Sequence, residues 1–302
     1  KFFLVLNKKL FSIPDLNSLN KIKNNFIKKK YFYLWINLAK KNLKFKKLFF
    51  QNENKEEKII FDFHNTNEFN DNFFKSLASN GVVIIENALP DNERKRIQKD
   101  FDELKKSNLS TLAFNKLGWL TNPIKTETKS KIRFYSKKKI SNYPHLEKLS
   151  DKLTKEISGK TLKTEAEFYL DKCTQLPEEK VTGDNVLHID RWVPNFKIIY
   201  SPLEIKIDNA PFTYLLESHK INNTYEKMIL NDNFQNIEAN ELYDLKKKTQ
   251  ILLKENSLIV ALTNGIHGRS SFLELKERML IFLQYARSFN KLSFLNYRSF
   301  NK

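Results

Sequence analysis

The sequence has few of the residues that build disulfides, metal clusters and phosphate-binding loops. Among its 302 residues there is one cysteine, Cys173, which excludes an intramolecular disulfide and any multi-cysteine zinc or iron–sulfur site. There are only six glycines, and they form no glycine-rich phosphate loop. No apolar run approaches the roughly 20 residues of a membrane span, and none is long enough for the core of a signal peptide. These absences predict a cytoplasmic protein.

Arginine is also scarce, and this changes the meaning of the strong positive charge. The formal net charge is +18, and a basic surface is the usual electrostatic sign of nucleic-acid binding. Lysine outnumbers arginine by 45 to 8, however, although arginine supplies the planar bidentate contacts that phosphate binders favour. The chain is rich in Asn, Ile and Phe as well, a joint bias typical of genome base composition. We therefore do not expect a nucleic-acid partner.

The positive charge is concentrated in the first 60 residues, which hold 15 lysines and four acidic residues. Apolar residues in this segment recur at spacings of 3, 4 and 7, as on one face of an amphipathic helix: Ile27, Tyr31, Leu34, Leu38, Phe45 and Leu48. Such a helix either packs on the main domain or belongs to a mobile leader, and peripheral contact with an anionic membrane is the alternative. The polar stretch Gln51–Lys58 predicts the boundary between a helical N-terminal segment (1–60) and a main domain (61–302).

Beyond this boundary the pattern changes from helices to strands. Gly81–Ile85 predicts a buried strand, and helices are predicted over Asn92–Lys105 and His145–Ile157. Short strands separated by turns follow: Ala166–Leu170, Val186–Asp190, Lys197–Tyr200, Phe212–Leu216, Gln250–Leu253, Ser257–Leu262 and Arg278–Tyr285. The helical Thr224–Leu230 and the polar Asn231–Leu242 resemble an insertion between strands. Because the seven strands otherwise follow one another without intervening helices, the pattern favours an antiparallel sandwich or barrel over a doubly wound sheet.

A histidine and a carboxylate stand two residues apart in the stretch Leu187–Trp192. In an extended strand His188 and Asp190 project to the same face, with Cα atoms roughly 7 Å apart, so both can bind one ion. A second histidine would complete the two-histidine, one-carboxylate set that suits non-haem Fe(II) and leaves coordination positions open. The alternatives are a surface or core histidine at 188 and an ion pair between Asp190 and Arg191.

Two other histidines are candidates for the third ligand. His267 follows the apolar strand Ser257–Leu262 and precedes Gly268, which permits a close approach of the backbone. His219 lies in a Ser-His-Lys turn. Placement at the end of a sheet favours His267. The remaining histidines have no partner at ligand spacing and are interpreted as solvated: His64 and His145.

Four landmarks follow one another along the chain: Asn80–Pro90 with its following helix, His188-x-Asp190, Ala210–Lys220, and His267-Gly268 with Arg278 eleven residues after the histidine. Together they resemble the phytanoyl-CoA dioxygenase family of Fe(II)- and 2-oxoglutarate-dependent oxygenases. In that family the corresponding features are the first strand and helix, the metal motif, a strand ending in a Pro-Gly-Ser-His-Lys turn, and the distal histidine with the 2-oxoglutarate arginine. The resemblance covers roughly residues 70–287 and leaves the lysine-rich segment unexplained.

The resemblance implies a mainly β fold with flanking helices, namely a double-stranded β-helix, a jelly roll of cupin-like form. It implies that His188, Asp190 and His267 bind Fe(II), while the turn containing His219 is structural. The implied reaction uses O₂, converts 2-oxoglutarate to succinate and hydroxylates a small molecule. Halogenases of related type lack the carboxylate that this chain retains at Asp190, so hydroxylation is the expected outcome.

Arg278 is the expected anchor of the cosubstrate, because a guanidinium presents two parallel donors that match a carboxylate. Its strand is expected to return antiparallel to the strand before His267 and so to bring the arginine near the metal. The hydroxyl that assists this arginine in the family is expected from Ser270 or Ser271, or is absent. Three positions depart from the family, which carries glycine at the first two and a small hydroxyl residue at the third: Ala210, Glu217 and Arg269.

Two other functions stay open. A non-catalytic jelly-roll binding protein would keep the fold with a silent metal site, although the complete ligand set and Arg278 argue against it. A basic protein acting at a membrane or nucleic acid would depend on residues 1–60. The substrate is expected to be a small molecule, and three side chains near the metal motif would suit an anionic one: Arg191, Trp192 and Lys197.

Overall fold

The computed structural model of the protein describes residues 29–30, 32–33, 36–37, 40, 43–51, 58–63, 71–107, 109–159, 161, 165–176, 186–190, 195–231 and 243–284. Within these residues the main helices are α1 (Leu43–Phe50), α2 (Asp71–Asn80), α3 (Asp91–Lys105), α4 (Thr111–Lys116), α5 (Pro144–Ser158) and α6 (Asn223–Leu230). The strands are β1 (Ile60–Asp62), β2 (Val82–Glu86), β3 (Ile124–Glu127), β4 (Lys131–Lys139), β5 (Glu165–Cys173), β6 (Lys197–Ser201), β7 (Phe212–Leu215), β8 (Lys248–Ile251), β9 (Ser257–Ala261), β10 (His267–Arg269) and β11 (Glu277–Gln284). Several features that the sequence analysis named lie outside the described residues: Ile27, Tyr31, Leu34, Leu38, most of the polar stretch 51–58, His64, Arg191, Trp192 and the polar stretch from 232 to 242.

The strands form two sheets, and the later part of the chain contributes strands to both of them. The larger sheet has the order β1-β2-β9-β6-β11-β5-β4-β3, and the smaller sheet has the order β10-β7-β8. From β5 onward the chain moves back and forth between them, and the pairings among these strands are antiparallel. His188 forms an isolated antiparallel bridge with His267, which extends the smaller sheet beyond β10. This topology is a double-stranded β-helix with flanking helices, and the predicted fold class is confirmed.

Alternating side chains along the central strands separate two hydrophobic clusters. On β9, Leu258 and Val260 pack in the cluster that contains the helices, whereas Ile259 and Ala261 pack toward the smaller sheet beside Tyr214. This alternation follows from the pleat of the strand, in which successive side chains point to opposite faces. The larger sheet is therefore covered on one face by helices and on the other by the smaller sheet, and the space between the sheets holds the site described below.

Helix α5 illustrates how the local sequence sets these elements. Pro144 occupies the first turn, where its missing N–H is not needed, and Gly159 ends the helix with a left-handed φ of 79°. Glu93 on α3 accepts hydrogen bonds from the backbone N–H of His145 at 3.2 Å and of Leu146 at 2.9 Å, and its carboxylate lies 3.0 Å from His145 Nδ1. His145 is exposed, as interpreted from the sequence, and its ring also pairs with Glu93 at the start of the helix.

Two predicted details of the β region are wrong. Strand β11 pairs with β5 and β6 and not with β9, because β6 lies between β9 and β11 in the larger sheet. The chain crosses to the smaller sheet at β10 before it returns, so the two strands that flank His267 are not neighbours. The predicted strand Val186–Asp190 is reduced to the single bridge at His188. The hairpin of β3 and β4 was not predicted, because the charged run KIRFYSKKK has no clear apolar alternation.

The described part of the N-terminal segment packs on the main domain. Phe45, Leu48 and Phe49 of α1 are at most 1% exposed and belong to the cluster that also contains the helices and the outer face of the larger sheet. Lys220 donates to the carbonyls of Leu48 at 3.3 Å and Gln51 at 2.6 Å, which ties the end of α1 to the turn after β7. Among the described residues, no helix combines the length and apolar character needed to cross a membrane. The boundary at residue 60 and the membrane contact stay predictions.

The turn after β7 holds His219 fully buried. Its Nε2 lies 3.0 Å from the carbonyl oxygen of Ala78, and its ring packs edge-on against Phe49 with centroids 6.3 Å apart. A Cβ at Gly81 would lie 2.4 Å from His219 Nδ1, so glycine is required there, where φ is 81°. Burial and the neighbouring Lys220 lower the pKa of His219 to about 3. This histidine is a packed residue of the core.

We expect the depressed pKa of His219 to make the fold acid-sensitive. The unfolded chain takes up this proton near the ordinary pKa of 6.5 and the folded protein only near 3, so the free energy of unfolding falls as pH decreases through this window. The limiting slope from one such group is about 1.4 kcal/mol per pH unit. Urea unfolding of wild type and His219→Gln between pH 7 and 4 measures the slope. Equal slopes in the two proteins would contradict the prediction.

Two residues occupy turn positions where the resembling family carries glycine, and both adopt the left-handed conformation: Ala210 with φ of 58° and Glu217 with φ of 67°. A side chain in this region costs roughly 1 to 2 kcal/mol. We expect Glu217→Gly to be more stable than Glu217→Ala by about 1 kcal/mol, because both variants lose the ion pair with Lys247 and only alanine keeps a Cβ. Denaturant unfolding compares the two variants, and an alanine variant of equal or greater stability would refute a conformational cost at this turn.

Candidate functional site

A cavity of about 230 Å³ lies between the two sheets. Much of its lining is apolar, with Ile199 and Ile259 from the larger sheet and Phe212 from the smaller one. Charged and ionisable side chains supply the remainder: Arg133, Asp171, His188, Lys197, His267, Arg269 and Arg278. The cavity therefore combines an apolar surface with a set of mostly cationic groups, as expected for a site that binds a small molecule.

The backbones of two predicted ligands are joined directly. The N–H of His188 donates to the carbonyl of His267, and the N–H of His267 donates to that of His188, both at 2.8 Å. Gly268 permits this approach, because a Cβ there would lie 3.0 Å from the carbonyl oxygen of Val186. The N–H of Asp190 donates to the carbonyl of Thr263 at 3.0 Å and holds the carboxylate residue beside the pair.

Both imidazole rings are oriented in the same way, by a contact between Nδ1 and a backbone carbonyl. Nδ1 of His188 lies 2.8 Å from the carbonyl oxygen of Val186, and Nδ1 of His267 lies 2.8 Å from that of Gly265. A carbonyl can only accept, so Nδ1 carries the proton and Nε2 keeps its lone pair in the neutral ring. Oxygen Oδ1 of Asp190 lies 3.9 Å from Nε2 of His188 and 3.6 Å from Nε2 of His267.

These three side chains meet the requirements of a metal site. Their candidate ligand atoms lie within 4.8 Å of one another. The Nε2 atom of His267 is buried and has no hydrogen-bond partner within the part of the chain that the structure describes. Carbonyl partners at Nδ1 are the usual second contacts of metal-binding histidines. Two imidazoles that line the cavity, with one carboxylate beside them, fit non-haem Fe(II), which leaves the remaining positions open for other ligands.

The protonation states also suit a cation. Burial favours the neutral acid of Asp190, but the neighbouring His267 and Lys197 hold its pKa well below the ordinary value. Burial, followed by the proximity of His267, lowers the pKa of His188. At neutral pH the carboxylate is thus ionised and the His188 ring is neutral, the forms in which these groups bind metals.

Arg278 belongs to a row of three charged residues. The sequence analysis assigned a role to Arg278 but none to the other two, Asp171 and Arg133. Asp171 on β5 is the direct cross-strand neighbour of Arg278 on β11 and of Arg133 on β4. Its carboxylate accepts from Arg278 at 2.8 Å and from Arg133 at 2.6 and 3.1 Å, while Arg278 also donates to the carbonyl of Ala210. Burial would raise the pKa of Asp171, but the two guanidinium groups lower it. Nothing in the sequence marks this row, because it depends on the register of three strands.

Ser270 makes contacts within the smaller sheet. Its hydroxyl lies 2.9 Å from Thr213 Oγ1 and accepts from the side-chain amide of Gln250 at 2.8 Å. The predicted assistance of this hydroxyl to Arg278 stays a prediction. Arg269, which replaces a small hydroxyl residue of the resembling family, lines the cavity next to Gly268.

The comparisons with known proteins are distant. No protein-family model and no curated protein matches the sequence. Among solved structures, the chain is similar to EctD from S. alaskensis with bound Fe, with 14% identity over 78% of this chain and 80% of that chain and a TM-score of 0.47.

Two further solved structures are similar at the same level. The non-heme alpha ketoglutarate dependent epimerase SnoN from nogalamycin biosynthesis shares 10% identity over 69% of this chain and 79% of that chain, with a TM-score of 0.44. HygX from Streptomyces hygroscopicus, solved with nickel, 2-oxoglutarate and hygromycin B, shares 11% identity over 71% and 86%, with a TM-score of 0.44. These values are too low to assign residues or a substrate, and the phytanoyl-CoA dioxygenase resemblance stays a prediction.

We expect Asp171→Asn to destabilise the fold strongly, since it leaves the buried Arg278 and the partly exposed Arg133 without the charge that they share. Removing one partner of a buried ion pair typically costs about 3 to 5 kcal/mol. The matched control is Asp91→Asn, because Asp91 also pairs with two cations, Arg94 and Lys95, but at the surface. Denaturant unfolding should show a large loss for Asp171→Asn and little change for the control. Similar losses in both would show that the buried row contributes no more than a surface pair.

Proposed function

We propose that the protein is an Fe(II)- and 2-oxoglutarate-dependent dioxygenase that hydroxylates a small molecule. The observation that carries this proposal is the convergence of two imidazole Nε2 atoms and one carboxylate oxygen at a cavity that both histidines and a buried arginine line. A purely structural cluster would have its nitrogen atoms in hydrogen bonds. Here the Nδ1 atoms hold the hydrogen bonds and the Nε2 atoms face the carboxylate.

Different residues of the site would bind the metal and the cosubstrate. His188, Asp190 and His267 would hold the metal, and the carbonyls at Nδ1 keep the two rings in the tautomer that binds it. Bound there, Fe(II) would supply the activation of O₂ coupled to conversion of 2-oxoglutarate to succinate. Arg278 lines the same cavity and would pair with the distal carboxylate of the cosubstrate, while Asp171 holds its guanidinium in place.

The cavity supports a small substrate of anionic character. Arg133, Lys197 and Arg269 line it together with the anchor arginine, so cationic groups outnumber the carboxylates. Apolar side chains around them exclude water and strengthen such charge pairing. A cytoplasmic location is part of the proposal and is supported by the single, buried cysteine. A closer kinship with phytanoyl-CoA dioxygenases is supported by the left-handed conformation of Ala210 and Glu217, where that family carries glycine.

The ligand set can be tested by spectroscopy. Under anaerobic conditions, Fe(II) with 2-oxoglutarate should give the weak visible charge-transfer band of the chelate in wild type. We expect His267→Ala to abolish the band, because it removes a ligand, and His219→Gln to keep it, because that residue lies in the core turn. Loss of the band in His219→Gln with retention in His267→Ala would reverse the assignment. A band without succinate release from any of a panel of metabolites would favour a non-catalytic binding protein.

The role of Arg278 can be tested by kinetics. Arg278→Lys keeps the charge but loses the bidentate fork, so we expect the KM for 2-oxoglutarate to rise about ten- to hundred-fold, the equivalent of a charge-assisted hydrogen bond. Succinate release at varied 2-oxoglutarate concentration measures KM. The control is Arg94→Lys, which changes an arginine of α3 that pairs with Asp91 and Glu255. An unchanged KM in Arg278→Lys would move the anchor to another residue.

A further inference from the structure

The two carboxylate oxygens of Asp190 face different partners. Oδ1 faces the imidazoles, at 3.6 Å from Nε2 of His267 and 3.9 Å from Nε2 of His188. Oδ2 forms an ion pair with Lys197, whose Nζ lies 2.7 Å away. The carboxylate is thus divided, with one oxygen directed to the metal position and the other held by an ammonium group.

Both partners of this ion pair are anchored by the fold. Lys197 begins β6, where its backbone pairs with Ala261 of β9 and Gln284 of β11 on either side. Asp190 is held through its N–H by the carbonyl of Thr263. Their side chains are 18% and 20% exposed, so the pair is sheltered from solvent and differs from a surface pair between two mobile side chains. The orientation of the carboxylate is therefore a property of the sheet.

We propose that Lys197 is a positioning residue that restricts Asp190 to one oxygen as a metal ligand. The inference rests on the metal site proposed above. A carboxylate can bind a metal through one oxygen or through both. With one oxygen from Asp190 and one nitrogen from each histidine, a six-coordinate ion keeps half of its positions for other ligands. A carboxylate that bound through both oxygens would occupy one more of them.

The same ion pair has a second consequence for the metal. Lys197 and the metal share one carboxylate, so the ammonium group repels the cation and withholds an oxygen from it. Lys197 therefore limits metal affinity while it preserves open coordination positions. Loss of the lysine should strengthen metal binding and reduce the number of bound waters together. A lysine that only stabilised the fold would produce neither change.

Mn(II) is a suitable probe, because its binding to the full-length chain can be followed by electron paramagnetic resonance and its bound waters by water proton relaxation. The neutral variants are Lys197→Met and Lys197→Leu. Two are made so that the experiment can be carried out if only one of them folds. Lys197→Arg keeps the charge. Lys254→Met is the matched control, because Lys254 pairs with Glu86 at 3.0 Å at the surface and does not itself line the cavity.

We expect either neutral variant to lose about one third of the inner-sphere water relaxation of wild type, the share of one open position in three. It should also bind Mn(II) several-fold more tightly, while Lys197→Arg and Lys254→Met behave like wild type. Unchanged relaxation in a neutral variant that binds Mn(II) would overturn the role of Lys197 and leave the metal site standing. Absence of Mn(II) binding in wild type would overturn the metal site and this inference with it.

Discussion

The site depends on the reciprocal pair of backbone hydrogen bonds between His188 and His267. Each bond is 2.8 Å long, and together they join a segment before β6 to the strand β10 that follows β9. The two histidines are 79 positions apart in the chain, yet this pair fixes their Cα positions as in any antiparallel ladder. The junction brings the two histidines together, and neighbouring backbone carbonyls then orient the rings and hold Asp190 beside them.

Charge in the cavity is arranged by cross-strand register. The row Arg278, Asp171 and Arg133 runs across β11, β5 and β4, and a second pair joins Lys197 to Asp190. Each carboxylate is buried beside more positive than negative charge, which keeps it ionised despite burial. The result is a cavity that is electrostatically prepared for anions before any ligand enters. This preparation suits the cosubstrate proposed above, which carries two carboxylates.

The sequence predicted those parts of the molecule that depend on local pattern. Apolar alternation and turns identified most of the strands of the double-stranded β-helix, and the His-x-Asp spacing with a distal histidine identified three side chains that the fold brings together. The parts that it missed depend on which strands are neighbours. Asp171 lies in a strand with no unusual composition, and the position of β6 between β9 and β11 follows from the crossing between sheets. Neither property is encoded within a window of a few residues.

The left-handed residues Ala210 and Glu217 have a consequence for how such proteins are detected. Both turns keep a backbone conformation that glycine adopts most easily, although neither residue is glycine. A comparison of residue identity with glycine counts two mismatches at these positions, although the backbone dihedral angles are ones that glycine adopts. The conformation of these two turns therefore cannot be read from the residue type alone.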